Sequence, residues 1–132
     1  MKLPDEMLQN ADRSTNEEAW SISEFPKVLE IATLNKIACI GGQFQFRGPI
    51  GIAEMYWLEV NSDQQRWNED WETYVTRANS EVRSRFDHIV SETDFRKEAM
   101  DWEHIRKAMT DGVITDPIHH LVFVAYFQQE SK

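Results

Sequence analysis

From Ile37 to Val60 the text IACIGGQFQFRGPIGIAEMYWLEV alternates apolar and polar positions with a period near two, the signature of strands that bury one face. Gly48-Pro49 lies between two runs rich in β-branched and aromatic residues, where proline presets a turn dihedral and glycine relaxes one. A β-hairpin is expected, with Arg47 facing Ile50, Phe46 opposite Gly51, Phe44 opposite Ala53 and Gly42 opposite Met55. That register gathers Ala38, Ile40, Phe44, Phe46, Ala53, Met55 and Trp57 on the core face. The other face gathers Gln43, Gln45, Arg47, Glu54 and Tyr56 among Ile50, Ile52 and Leu58, a mixture suited to protein contact. The competing expectation is that a helix, a loop or the N-terminal residues cover these positions. Gly41-Gly42 marks a bulge or a close backbone approach.

Elsewhere the period is helical. SEFPKVLEIATLN, residues 23–35, offers an N-cap serine, a first-turn proline and Phe25, Val28, Leu29 and Ala32 on one face. Ser62 and Gln65 form a capping box that opens the longest stripe, Trp67, Trp71, Tyr74, Val75, Ala78, Val82, Phe86 and Ile89, and both tryptophans are expected in the core. Phe95, Ala99, Trp102, Ile105 and Met109 carry a further helix that ends at Asp111-Gly112. IHHLVFVAYF, residues 118–127, reads as a strand by its β-branched and aromatic content, with a buried helix as the alternative.

The expected class is therefore α+β. A small antiparallel sheet, hairpin 37–60 plus strand 118–127, packs against helices near 23–35, 62–90 and 93–110. Residues 1–19 are polar and aperiodic, an N-terminal arm of open order beside a single domain over 20–132.

Composition narrows the function classes. The 132 residues, 41% hydrophobic, suffice for one core without metal or disulfide staples, and the single cysteine, Cys39, sits among apolar neighbours as a buried inert thiol. Cysteine usage, the acidic N-terminus and the lack of an apolar run near the roughly 20 residues of a membrane span point to a cytoplasmic protein. Lys plus Arg number 14 against 23 for Asp plus Glu, a net charge of -9. Nucleic acid and anionic membranes repel such a chain, whereas a basic protein partner is steered toward it. Either a monomer or a homodimer fits.

Catalytic signatures are missing: no G-x-S-x-G, Walker A, G-x-G-x-x-G or HExxH occurs, and no cofactor is expected. His88 with Glu92 and Asp101 with His104 share helix faces, but two ligands do not make a metal site. His119 and His120 fall on opposite faces of the last strand. An enzyme or small-ligand binder would need a pocket between sheet and helices where Glu54, Tyr56 and His120 converge. Asp63, Glu69, Asp70 and Glu72 complement a helix macrodipole and also form an anionic patch. A regulatory module that dimerises through a sheet edge is a third reading.

GGQFQFRGPIGIAEMYWLEV is the nearest thing to a signature. With its single domain, five tryptophans, one cysteine and acidic charge, the chain resembles the small acidic immunity proteins of bacterial polymorphic and contact-dependent toxin systems. The resemblance implies a non-enzymatic inhibitor that binds a basic toxin domain, for example a nuclease. Gln43, Gln45, Arg47, Glu54 and Tyr56 are the expected contact residues from the hairpin face, with Asp63, Glu69, Asp70 and Glu72 as steering charge.

Overall fold

The hairpin forms, with a register two residues away from the expected one. In the computed structural model, which describes residues 2–131, β2 (Ala38–Gly48) and β3 (Gly51–Asn61) pair Phe46 with Ala53, Phe44 with Met55 and Gly48 with Gly51. The turn is thus the two-residue Pro49-Ile50. An even offset moves partners without exchanging faces, so Phe44, Phe46, Ala53 and Met55 are buried as the alternation demands.

Two irregularities limit that pattern. Gln43 pairs with Glu59 although Phe44 pairs with Met55, so Tyr56, Trp57 and Leu58 are extra residues with no partner in β2. Trp57, expected in the core, is consequently 47% exposed. A second shift between Cys39 and Gly41 puts Ile40 outside as well, a further correction to the core face. Gly41 and Gly42 are the close approach the sequence suggested: a Cβ on Gly42 would stand 2.1 Å from the Val124 carbonyl oxygen, and Gly41 has a φ of +151°.

The class is α+β. β1 (Ala19–Ser21), unforeseen in the sequence, and β4 (Leu121–Gln128) complete an antiparallel sheet of order β1-β4-β2-β3. The strand reading of the C-terminal segment holds, but Pro117–His120 is a short 3-10 turn, so both histidines precede the strand. The helices are α1 (Asp5–Leu8), α2 (Phe25–Leu34), α3 (Trp71–Glu92), α4 (Phe95–Met100) and α5 (Glu103–Thr110). Residues 62–70 are loop rather than helix, because Asp70 caps α3 by accepting from Thr73 N at 2.8 Å. The 93–110 helix is broken at Asp101-Trp102 into α4 and α5.

Phe25, Phe44, Phe86 and Phe123 form the centre of the core between sheet and helices, with ring centroids 4.5 to 5.4 Å apart. The N-terminal residues belong to this core: Leu3 and Met7 are buried, and Trp20 Nε1 donates to the Met7 carbonyl at 2.7 Å.

One polar residue on the buried face of α3 joins the layers. Asn79 Oδ1 accepts from Cys39 N at 2.7 Å, while Nδ2 donates to Ile37 O at 3.0 Å and to Thr33 Oγ1 at 2.9 Å. Asn79→Leu strands the Cys39 N–H and the Ile37 carbonyl away from water, so urea denaturation should show a loss of about 3 kcal/mol. A loss below about 1 kcal/mol, that of an ordinary hydrogen bond, would show that the amide is not the joint.

Candidate interaction surface

The outer face of the sheet is covered at Gln45, Arg47 and Val124 and open along β3 at Ile52, Glu54 and Tyr56. An excursion closed by mutual hydrogen bonds between the backbones of Asp12 and Ala19 folds over it and surrounds Arg47. Arg47 Nη2 donates to Glu17 O at 2.9 Å and Thr15 Oγ1 at 3.0 Å, Nη1 reaches Asp12 O and Oδ1 at 3.4 Å, and Nε donates to Gln45 Oε1 at 3.2 Å. Burying a guanidinium requires such a ring of acceptors. Burial pushes the Asp12 carboxyl up, but hydrogen bonds from Ser14 and the charge of Arg47 outweigh it and hold the group below its usual range. The Tyr126 hydroxyl donates to the Glu17 carboxylate, and burial together with that carboxylate pushes the phenol up to about 12.

Arg47 and Gln45 are therefore buried, 6% and 1% exposed, and are not available to a partner as expected. Gln45 Nε2 lacks a hydrogen-bond partner. Gln43 is half-buried, and only Glu54 and Tyr56 of the five expected hairpin residues lie open. The cover comes from Asp12, Thr15 and Glu17 of the N-terminal segment, as the competing expectation had it.

The acidic segment divides by role. Glu69 takes two hydrogen bonds from Arg77, Oε2 from Nε at 2.6 Å and Oε1 from Nη2 at 2.7 Å, and a third from Arg66 N at 2.8 Å. The same guanidinium donates to Glu81 Oε1 at 2.8 Å, Gln64 O at 3.0 Å and Asp63 O at 3.3 Å, and lies 5.5 Å from the Tyr74 ring centroid. Glu69 is thus spent inside the loop, with its carboxyl lowered from 4.5 to about 2 by the Arg77 hydrogen bonds and then by the Arg66 N–H. Asp70 is the helix cap, lowered by its bonds from Thr73. Asp63 stands 3.6 Å from Arg85, and Glu72 is exposed. Of the four expected steering acids, Asp63, Asp70 and Glu72 are exposed, though Asp63 faces Arg85 and Asp70 is engaged as the cap, and Glu69 is half-buried.

This fastening presents Trp67. The side chain expected in the core is 97% exposed, because the residues before Asp70 are not helical and the stripe starts only at Trp71. Trp71 is half-buried and donates from Nε1 to Lys36 O at 2.7 Å.

A second aromatic group stands at the β3 bulge. Tyr56 is 69% exposed and meets Trp57 edge to face at 5.1 Å, while Trp57 lies parallel to Trp102 within 11° at 6.2 Å. Glu54, Tyr56 and His120 do not converge: His120 lines a cavity of about 10 Å³ beneath the hairpin turn with His104, Ile105, Phe46 and Ile50. No three ligating side chains cluster among the described residues. Burial pushes the Cys39 thiol up to about 12, which leaves it protonated at neutral pH.

No family model, curated protein or solved structure matches this chain.

The Arg77 contacts make two linked expectations. Arg77→Gln should raise amide exchange over residues 62–70 at pH 7 by about tenfold and leave β4 unchanged; equal protection in both proteins would refute the fastening. Because the Glu69 pKa is lowered on folding, its contribution is present above 4.5 and disappears as pH falls toward 2. Wild-type protection of the loop should decline across that window, and in Arg77→Gln the decline should be much smaller.

Proposed function

We propose that this chain is a non-enzymatic protein-binding module that neutralises a basic partner by direct contact, in the manner of an immunity protein against a bacterial toxin domain. The observation that carries the reading is Trp67, an indole 97% exposed on a loop whose shape is fixed by Arg77. Tryptophan is enriched among residues that dominate binding energy, and a preorganised loop loses little entropy on contact. Asp63 and Glu72 flank the loop, and the net charge of -9 extends their field. A nuclease domain, whose substrate site is basic, is the most concrete partner of this chemistry.

The test is co-expression with the products of the adjoining reading frames. One of them should be toxic alone and harmless with this chain, and Trp67→Ala should abolish protection and weaken binding at least about tenfold without lowering the thermal midpoint. The double variant Asp63→Lys, Glu72→Lys should slow association and flatten its salt dependence. Neither adjoining product binding, or full protection by Trp67→Ala, would defeat the proposal.

A further inference from the structure

β3 interrupts its own ladder at a particular place. The three unpaired residues include Tyr56 and put Trp57 outside the alternation, at an edge strand that no other strand covers. Trp57 leans on Trp102, at the break between α4 and α5, and about half of its surface still meets water. Aromatic faces carry negative potential, and an exposed pair of this kind attracts cations.

Acids outnumber bases in the sequence around the pair, although the His104 ring meets Trp102 edge-on at 5.9 Å. The ionisable acids of β3 are Glu54 and Glu59, both exposed, and β3 holds no lysine or arginine. Asp101 and Glu103, also exposed, flank Trp102 in sequence. The basic residue one turn further on, Arg106, donates its guanidinium to the Met100 carbonyl. Among the described residues the cation–π contact that the chain makes within itself is Arg77 over Tyr74, so Tyr56 and Trp57 have no cation of their own.

The geometry points to the β3 bulge as a docking point for an arginine side chain of a protein partner. It rests on the reading of the partner as a basic protein, and it is a contact separate from the Trp67 loop. A planar guanidinium stacks on indole and forks to a carboxylate, which an ammonium cannot do in the same plane. A second copy of the chain is the poorer occupant. Its β3 would bring another Glu54 and Glu59 to the same edge, and the bulge would interrupt the shared ladder.

The experiment follows the indole N–H signals of the whole chain by NMR during titration with acetyl-tetra-arginine amide and, separately, acetyl-tetra-lysine amide at low salt. The arginine peptide should move the Trp57 and Trp102 signals and bind more tightly than the lysine peptide. Trp57→Ala should weaken the arginine peptide about threefold or more and abolish its advantage over lysine. Glu54→Gln with Glu59→Gln leaves the aromatic pair in place and should weaken both peptides, which keeps the test valid if Trp57→Ala unfolds. Shifts confined to Trp67 and the start of α3 would overturn the bulge as a docking point while leaving the proposed function standing. Equal affinity for both peptides, unchanged in either variant, would reduce the effect to general charge attraction and overturn it too.

Discussion

The Asn79 amide is the contact on which the rest of the structure depends. It holds α3 to the end of α2 and to the first residues of β2 through hydrogen bonds from one side chain. Two residues earlier, on another face of the same helix, Arg77 grips the carbonyls and the carboxylate of the 62–70 loop. The loop is thus fixed to the helix by Arg77 and to the sheet at its first residue, where Ser62 N donates to Ile40 O at 3.2 Å and Ser62 Oγ to Cys39 O at 3.0 Å, so the position of Trp67 depends in part on an amide buried on the far side. Helical geometry makes this natural, since side chains two positions apart do not share a face.

The inside and outside of the molecule are partly exchanged at its polar surface. Arg47 lies under the residues that precede β1, while Trp67 stands in water. Neither is a packing accident: each is enclosed or presented by specific hydrogen bonds, the guanidinium by backbone and hydroxyl acceptors, the indole by a loop whose shape those bonds fix. Burying Arg47 removes a cation from the surface and leaves that face of the sheet more acidic than its sequence implies.

Most of the fold was legible and much of the surface was not, for reasons visible at single residues. Phe44, Phe46, Ala53 and Met55 are buried because alternation survives a two-residue error in register. EMYWLE carries nothing that announces three unpaired residues, so Trp57 was expected on the wrong side. Trp67 fell into the helical stripe because it lies four residues before Trp71; Asp70, read only as an acid near the helix start, accepts from the Thr73 amide and is the cap the backbone uses. Glu54 and Tyr56 remain open as expected, whereas Gln45 and Arg47 were lost to a cover whose acceptors are mainly backbone carbonyls and a hydroxyl, groups that leave no pattern in a sequence.

The way the 62–70 loop is held has an evolutionary consequence. Arg77 holds it by two hydrogen bonds to the Glu69 carboxylate and by two to the main-chain oxygens of Asp63 and Gln64. Main-chain oxygens are present whatever residue occupies the position. The side chains at 64 and 66–68, none of which hydrogen-bonds within the loop as Gln65 does to Glu69 O at 3.1 Å, can therefore be exchanged while the loop keeps its outline, and the surface they display can drift between lineages at little cost to folding.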